Sequence, residues 1–355
     1  MEKLTRIRAA MQKEGFEAVL LTNEINCRYA TGYAYTDGLA LVTAKSAHLI
    51  TDSRYTEEAT MYADPAFAVV APESRLAYIT GILTDEGIRE IGYENLSLSC
   101  AEFDRMREQY HFAFRPMNTL MNSLRICKDE DELAAIAEAQ DLTDRAFTHI
   151  LSMMTPAMTE IDVALELEFF MRKNGADGVA FDTIAVSGSA SSLPHGKCRP
   201  LPLQKGFLTM DFGARVRGYC ADMTRTVCIG RADAEIRRVY DTVLAAQSAG
   251  LAMICAGESC VNVDKAARDL INGAGYEGCF GHGLGHGVGL EIHEEPRLSP
   301  RAGTVKLEVG QVVTVEPGVY LEGKYGCRIE DLVTVTADGY RNFTRSSKEF
   351  IELFA

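Results

Sequence analysis

The sequence lacks a long run of apolar residues. No segment of its 355 residues approaches the length that a helix needs to cross a membrane. The N-terminal segment 1–8 mixes charged and apolar residues at helical spacing, so it lacks the unbroken apolar centre of a signal peptide. These absences argue against a membrane protein and predict a cytoplasmic one.

Basic residues are fewer than acidic residues. The chain has 36 Lys and Arg against 50 Asp and Glu, which gives a net charge of −14. Phosphate binding needs a basic surface, and no local cluster of Lys and Arg overrides the overall balance. Nucleic acid is therefore not expected as the main partner.

Several motifs of well-known chemistry are missing. The ten cysteines include no C-x-x-C pair, and in a cytosolic protein they are expected to be free thiols packed as small hydrophobes. No G-x-S-x-G turn accompanies the serine-rich segment 187–192, which sets aside a serine hydrolase. Neither a phosphate-binding loop nor a G-x-G-x-x-G after a strand is present, so the glycine-rich segment near residue 285 does not indicate a nucleotide site.

The length predicts two domains, because 355 residues exceed what one core usually holds. Residues 1–122 alternate short apolar strands with helices, the pattern of a compact α/β domain with a mixed or parallel sheet. The pattern breaks at 116–123, and an acidic helix start follows at Lys128–Glu132. The boundary is therefore predicted between residues 122 and 123, with a second domain over 123–355.

The second half contains a glycine-rich segment with two histidines and four carboxylates in apolar surroundings. The segment Gly281–Gly289 carries His282 and His286 four residues apart. Glycine has no Cβ, so such a segment lets the backbone and an imidazole approach a bound object closely. The carboxylates, each inside an otherwise apolar, strand-like run, are Asp211, Asp222, Glu316 and Glu330, with Glu316 at the end of its strand.

The first two carboxylates are predicted to face each other. A hairpin centred near Val216 and Arg217 would place Asp211 opposite Asp222, and like charges so paired are destabilising without a shared proton or a cation. Buried carboxylates must pair or bind a metal. Arg328 could satisfy Glu330 alone, but it cannot serve all four.

Four carboxylates and one imidazole form an oxygen-rich set of possible ligands. Such a set suits Mn²⁺, Co²⁺, Fe²⁺ or Zn²⁺ in a two-metal site better than a structural zinc site, which prefers cysteine. Two neighbouring metals typically activate water and polarise a carbonyl or phosphoryl oxygen.

Together these segments resemble the proline-specific metallopeptidases of family M24, the Xaa-Pro dipeptidases (prolidases) and aminopeptidases P. The matching motifs are Met-Asp-Phe-Gly-Ala, Ala-Asp-Met-Thr-Arg-Thr, Gly-His-Gly-Leu-Gly-His, Val-Glu-Pro-Gly-Val-Tyr and Arg-Ile-Glu-Asp. The first domain matches more loosely, through segments 29–33 and 49–55. The resemblance implies an α+β protein whose C-terminal pita-bread domain, a curved antiparallel sheet backed by helices, follows a smaller N-terminal α/β domain.

The resemblance also implies an activity and the roles of individual residues. The implied enzyme uses two divalent ions, with Mn²⁺ expected, to hydrolyse the bond before a proline at the second position of a small peptide. The implied metal ligands are Asp211, Asp222, His286, Glu316 and Glu330, with Asp222 and Glu330 bridging both ions. Glu316 is the implied proton acceptor, and the residues that would position substrate or support the site are His195, His282, His293, Tyr320 and Arg328. A homodimer is implied as well.

Several interpretations of the sequence stay open. A dipeptidase and an aminopeptidase P differ in whether the pocket closes behind the proline carboxylate or admits a longer peptide. Methionine aminopeptidase shares the ligand set but usually lacks an N-terminal domain of this kind. A relative without peptidase activity, such as creatinase or a protein-binding domain, would have lost metal ligands, and all five positions are filled here. A purely structural α/β protein would leave the aspartates unexplained.

Overall fold

The computed structural model describes residues 2–35 and 37–355, which form two compact units. The first ends at Arg125 and the second runs from Ile126 to Ala355. The boundary predicted between residues 122 and 123 falls within a helix, Leu120–Ile126, and stays a prediction. Within the described residues, no helix combines the length and the apolar character that crossing a membrane requires.

The first unit contains one six-stranded sheet and its helices. In chain order the elements are α1 (Glu2–Glu14), β1 (Ala18–Leu21), α2 (Glu24–Thr31), β2 (Leu39–Thr43), β3 (Ala47–Ile50), α3 (Thr56–Tyr62), β4 (Ala68–Val70), α4 (Arg75–Glu86), β5 (Glu90–Tyr93), α5 (Cys100–Gln109), β6 (Ala113–Pro116) and α6 (Leu120–Ile126). The strand order is β4-β3-β2-β1-β5-β6. Since β1 pairs antiparallel with β2 and parallel with β5, the mixed sheet predicted from the sequence is confirmed.

Local sequence explains where the helices of this unit begin and end. The side chains of Asn23, Ser74 and Ser99 accept backbone N–H bonds at the first turns of α2, α4 and α5. Helices α2 and α4 stop at Gly32 and Gly87, whose φ angles of 73° and 76° favour glycine. These caps fix the segments that connect the buried strands.

The second unit is built from four long helices and short strands. Its elements are α7 (Glu130–Met153), α8 (Glu160–Lys173), β7 (Gly178–Val179), β8 (Ile184–Ser187), β9 (Gly206–Phe212), β10 (Ala214–Val216), β11 (Tyr219–Cys220), β12 (Met223–Ile229), α9 (Ala234–Ala252), α10 (Cys260–Ile271), β13 (Gly285–Gly287), β14 (Glu294–Leu298), β15 (Val312–Val315), β16 (Gly318–Leu321), β17 (Tyr325–Arg328), β18 (Asp331–Val335), β19 (Tyr340–Asn342) and β20 (Glu352–Leu353). A 3₁₀ turn spans Gly188–Ser192 and a π turn spans Asn272–Tyr276. Helices α7 and α8 begin at Asp129 and Thr159, each with a reciprocal capping box, and the cap predicted at Thr159 is confirmed.

Two larger sheets of the second unit each have a pair of helices packed on them. The sheet β20-β12-β9-β8 shares a buried apolar core with α7 and α8, through residues such as Phe147, Leu167 and Met210. The sheet β14-β13-β15-β18-β19 shares another core with α9 and α10, through residues such as Val243 and Val313. All strand pairs in these sheets are antiparallel except β12 with β20. The ten cysteines are free thiols, as predicted.

The hairpin that contains the two aspartates differs from its prediction in register. Asp211 lies opposite Thr224 and not opposite Asp222. The turn residues are Arg217 and Gly218, with φ angles of 49° and 81°, as a two-residue type I′ turn requires. The turn is therefore centred later than the sequence suggested, and the two aspartates are diagonal rather than directly opposed.

The other three carboxylates stand at the ends of strands, not inside them. Asp222 lies between β11 and β12, Glu316 directly follows β15, and Glu330 lies between β17 and β18. The prediction of a position within a strand is therefore right for Asp211 and wrong for Asp222 and Glu330, whereas Glu316 was expected at the end of its strand and directly follows β15. A residue at a strand end is released from the strict alternation of side-chain direction, so side chains from several strands can converge.

Candidate metal centre

Strands of the second unit bring the five predicted metal ligands to one cavity of about 850 Å³. The lining residues include all five, which are Asp211, Asp222, His286, Glu316 and Glu330. They also include four of the residues predicted to support the site, which are His195, His282, His293 and Arg328. Positions more than one hundred residues apart in the sequence thus share one surface.

The imidazole of His286 stands at the centre of the carboxylates. Its Nε2 lies 3.5 Å from Asp222 Oδ2 and 3.4 Å from Glu316 Oε1. One potential ligand atom each from Asp222, His286 and Glu330 falls within 4.8 Å of the others. These separations are short enough for the three side chains to share a cation.

The backbone around His286 fixes the orientation of its ring. Its Nδ1 lies 3.0 Å from the carbonyl oxygen of Gly287, so Nδ1 carries the hydrogen and donates it. A Cβ on Gly285 would fall 2.0 Å from the carbonyl oxygen of Thr314, which explains the need for glycine there. Burial lowers the pKa of His286 to about 3, so the imidazole is neutral. A neutral ring with Nε2 facing the carboxylates is the form that ligates a metal.

The carboxylates are under strong mutual repulsion. Burial raises the pKa of Asp222 well above its usual value, and the charge of Glu330 adds to this. Burial also raises the pKa of Glu330, with Glu316 and Asp211 contributing, and it raises the pKa of Glu316 to about 8. Without a cation, these groups are held ionised only at a high electrostatic cost.

Arg328 is a buried cation in contact with this group, and its direct partner differs from the one that the sequence suggested as possible. Its Nη2 donates to Asp211 Oδ2 at 2.6 Å. Its Nε donates to Thr224 Oγ1 at 3.0 Å, and that hydroxyl donates to Glu330 Oε2 at 2.6 Å. Arg328 therefore reaches Glu330 through Thr224, and the suggestion that it satisfies Glu330 directly is wrong.

His282, Tyr320 and Arg328 are connected by a chain of hydrogen bonds. Tyr320 Oη accepts from Arg328 Nη1 at 2.8 Å and lies 3.0 Å from His282 Nε2. Because His282 Nδ1 donates to the carbonyl oxygen of Gly283, its Nε2 accepts the tyrosine hydrogen. Burial, helped by Arg328, lowers the pKa of His282 to about 4, and burial raises the pKa of Tyr320 to about 12. Both groups are thus neutral, and Tyr320 supports the cavity from behind His282 and Arg328.

The remaining two histidines stand on the exposed side of the cavity. His195 is exposed and follows Pro194, whose carbonyl oxygen accepts from Arg328 Nη1 at 3.3 Å. The His293 ring meets that of His286 edge-on, with a centroid separation of 4.5 Å. Burial and then Arg297 lower the pKa of His293. These two side chains are placed to meet a bound substrate.

Sequence reasoning missed three polar residues of this site. Thr224 links Arg328 to Glu330, and Thr314 Oγ1 accepts from the His286 N–H at 3.0 Å. Arg297 lines the cavity from β14. Arg297 could have been found from the alternation of side chains along a strand, because it lies four residues after His293 and both residues are exposed. Thr224 lies within the motif Ala-Asp-Met-Thr-Arg-Thr, but its role and that of Thr314 depend on contacts between strands.

The donor set of this cavity fits divalent metal ions. It offers carboxylate oxygens and one neutral imidazole nitrogen, a combination preferred by ions such as Mn²⁺ rather than by structural zinc sites. Asp211 Oδ1 is buried and has no hydrogen-bond partner within residues 2–35 and 37–355, so this oxygen is available as a ligand. A cation would relieve both the repulsion and this unpaired oxygen.

Comparison with protein families matches both halves of the chain. Residues 134–337 match the model of metallopeptidase family M24, and residues 3–127 match the creatinase/prolidase N-terminal domain. The Xaa-Pro dipeptidase of Pyrococcus horikoshii is 33% identical over 353 residues, which cover 99% of each chain. These matches confirm the resemblance that the motifs suggested.

Comparison with solved structures confirms the expected fold class. An Xaa-Pro dipeptidase from Bacillus anthracis superimposes with a TM-score of 0.95 at 40% identity, over 99% of each chain. An X-Pro aminopeptidase from Thermotoga maritima gives 0.91 at 36% identity, over 97% of this chain and all of the other. The α+β architecture with a pita-bread C-terminal domain is thus supported by the sequence, the fold and the comparisons alike.

Proposed function

This chain belongs to metallopeptidase family M24, and we propose that it is a two-metal Xaa-Pro dipeptidase, which cleaves the bond before proline in a dipeptide. The observation that carries the proposal is the convergence of four carboxylates and one neutral imidazole on a single cavity. Its similarity along the whole chain to proteins named Xaa-Pro dipeptidase supports this substrate class.

The proposed ligands of the two ions are the five side chains named from the sequence, and Mn²⁺ is the proposed metal. Ions in such carboxylate-rich sites polarise the scissile carbonyl and lower the pKa of water. The His286 ring is held in the ligating tautomer by Gly287, and Thr224 orients Glu330 through the bond to its Oε2. These supporting contacts set the direction of the two ligands before any ion arrives.

Glu316 is the proposed proton carrier. Its Oε1 lies 3.4 Å from His286 Nε2 and accepts a long hydrogen bond from Thr314 Oγ1, also at 3.4 Å, so the carboxylate faces the ligand cluster. A carboxylate in this position can take a proton from the attacking water. The proton accepted here is passed to the nitrogen of the departing proline.

Three histidines are proposed to position the substrate and stabilise the charge that develops on the carbonyl oxygen. His195 and His293 face the cavity from its exposed side. His282 is held by Tyr320, which is held in turn by Arg328. Preorganised polar groups of this kind act at no reorganisation cost during the reaction.

Arg297 is the proposed contact for the free carboxylate of the proline residue. It is a cation on the cavity lining, and its side chain is 45% exposed, so it is accessible to a ligand. Phe181, Ile184 and Ile292 also line the cavity and offer apolar surface to the pyrrolidine ring. A cation and an apolar wall match the end of a dipeptide better than the middle of a longer chain.

An aminopeptidase P acting on longer peptides is the second candidate. The similarity to an X-Pro aminopeptidase favours it, since the same ligands serve both activities. The substrates differ in the group attached to the proline carbonyl, and only a dipeptide offers Arg297 a free carboxylate there.

The experiment uses chelator-treated protein reloaded with Mn²⁺ and compares the hydrolysis of Ala-Pro, Ala-Pro-Ala and Ala-Ala. The proposal expects metal-dependent cleavage of Ala-Pro alone. Cleavage of Ala-Pro-Ala would establish the aminopeptidase instead. An absence of metal-dependent cleavage of all three would indicate a relative of this fold without peptidase activity.

We also propose a cytoplasmic homodimer. Leu165 and Phe169 stand one turn apart on α8 and are 59% and 60% exposed, an arrangement that favours coverage by another surface. Size-exclusion chromatography with light scattering measures the state directly. A mass near 38.9 kDa would indicate a monomer and contradict this proposal.

A further inference from the structure

A buried ion pair lies close to the proposed site but outside its cavity. Lys128 Nζ is 2.9 Å from Glu294 Oε2, and the two side chains are only 1% and 5% exposed. Burying two charges is costly even when they are paired, and apolar residues in their place often give equal stability. A role beyond stability would explain such a pair.

Lys128 is held in place by its backbone and by its side chain. Its N–H donates to the carbonyl oxygen of Gly310 at 2.9 Å. Its ammonium group also donates to the carbonyl oxygen of Ile126 at 3.2 Å. The next residue, Asp129, caps α7. The position of the Lys128 ammonium group is therefore fixed.

Glu294 lies at the end of the turn that leads into β14. Its Oε1 accepts from the N–H of Glu291 at 3.2 Å. A Cβ on Gly289 would fall 2.5 Å from Glu294 Oε2, so glycine is needed there to admit the carboxylate. The Gly289 N–H donates to the carbonyl oxygen of Glu291, which closes the turn around the carboxylate.

His293 is the residue next to Glu294 in this turn. Its ring is exposed, and it meets the His286 ring at 4.5 Å between centroids. Arg297 follows on the same strand as Glu294. The His293 side chain is carried by this turn, so its position depends on how the turn is held.

We propose that Lys128 and Glu294 are a positioning pair, which holds the turn 289–294 so that His293 faces the metal ligands. This inference rests on the proposed function, because His293 acts there on the substrate. Lys128 acts through Glu294 and the turn, without touching the substrate. A pair that served stability alone would leave turnover unchanged once stability was restored.

The test uses the double variant Lys128→Met/Glu294→Met. Changing Lys128 alone would leave a buried charge without its partner and could prevent folding, whereas the double change removes both charges and keeps the side-chain length. We expect the thermal midpoint and the Mn²⁺ affinity to stay close to those of the wild type. We expect kcat for Ala-Pro to fall about ten- to a hundredfold, because small displacements of a catalytic group are costly.

The matched control is Lys265→Met/Asp269→Met. These residues form an exposed ion pair on α10, with side chains 65% and 60% exposed. These substitutions also remove one ion pair, and they should leave kcat within about twofold of the wild type, because an exposed pair contributes little. A similar loss in both double variants would show a general effect of the substitutions and overturn the inference.

A second measurement does not depend on activity. The chain has seven histidines, so the NMR spectrum of metal-free protein labelled at histidine is simple. The signals of His293, assigned by their loss in His293→Asn, should shift in the double variant, while those of His48 and His149 stay in place. Unchanged His293 signals, or an unchanged kcat, would overturn the positioning role. A wild-type protein that cleaves no prolyl peptide would refute the proposed function, and the NMR comparison would still decide the positioning role.

Discussion

Replacing Arg225 by methionine tests whether the proposed site depends on a buried support behind it. The Arg225 side chain is 2% exposed and pairs with Asp331, whose side chain is fully buried. It donates five hydrogen bonds, to Asp331 Oδ1 and to the carbonyl oxygens of Thr224, Glu330, Ser346 and Ser347. Arg225 thus ties a proposed metal ligand to the C-terminal segment.

The expected loss of stability depends on the contacts that remain in the variant. Removing one partner of a buried pair typically costs about 3–5 kcal/mol. Asp331 would keep Lys348, at 2.6 Å, and Asn342, at 2.9 Å, so we expect the lower end, about 3 kcal/mol. For a unit of this size that lowers the thermal midpoint by about 6–12 °C. Because the Glu330 carbonyl oxygen loses its donor, Mn²⁺ affinity should also fall, by about tenfold or more.

Thermal unfolding of chelator-treated protein and calorimetric titration with Mn²⁺ measure these two effects. Arg345→Met is the matched control, because the Arg345 side chain is 81% exposed and lies 4.0 Å from Asp141. Its midpoint and its affinity should match the wild type. An Arg225→Met protein with wild-type midpoint and affinity would refute the reasoning.

Four other variants test the site and its supports. Glu330→Ala should abolish Mn²⁺ loading and Ala-Pro hydrolysis together, and an active, metal-loaded variant would contradict the two-metal proposal. His293→Ala should bind Mn²⁺ as the wild type does and lose most turnover, so an unchanged kcat would disprove its role. Arg297→Met should raise KM for Ala-Pro by about ten- to a hundredfold, as expected for a lost charge-assisted hydrogen bond, and an unchanged KM would refute carboxylate binding there. Burial of Glu160 favours a higher pKa, but the hydrogen bonds from Arg199 and Ser187 outweigh this effect and lower the pKa of the carboxyl group from its ordinary value of 4.5. The ionised carboxylate therefore stabilises the fold fully above pH 4.5, and this stabilisation is lost as the pH falls through the lowered native pKa. When the free energy of unfolding in urea is measured against pH, it should therefore decline less in Glu160→Gln than in the wild type at acidic pH. The same decline in both proteins would contradict this role of Glu160.

The sequence alone determined the elements whose causes are local. The strand Ala18–Leu21 follows from an unbroken aliphatic run, and the start of α8 follows from Thr159 with Asp162 three residues later. Free cysteines and the absence of nucleotide motifs were also local observations. The five proposed ligands were identified from the motifs in which they lie. Four of them are carboxylates in apolar surroundings, which need partners.

Register was not determined by the sequence. A hairpin centred one position earlier would have fitted the apolar pattern as well, and only the positive φ angles at Arg217 and Gly218 decide where the chain turns. The strand break at Glu330 was likewise not predicted, because the apolar run resumes at Leu332 and Val333, whereas Pro317 and Gly318 mark the strand end at Glu316 locally. Periodicity reports which residues are buried, but it does not report where a strand ends.

The tertiary structure decided which residues meet. The sequence allowed Arg328 to satisfy Glu330, yet it donates to Asp211, which lies 117 positions away in the sequence. The pairing of Lys128 with Glu294 spans 166 positions and had no local signal at all. The sequence specifies the chemistry of each side chain and its immediate turn, whereas contacts between distant strands depend on how the sheets pack. The candidate ligands could therefore be named from the sequence, but the contacts by which Thr224, Arg225 and Lys128 support the site could be found only in the folded chain.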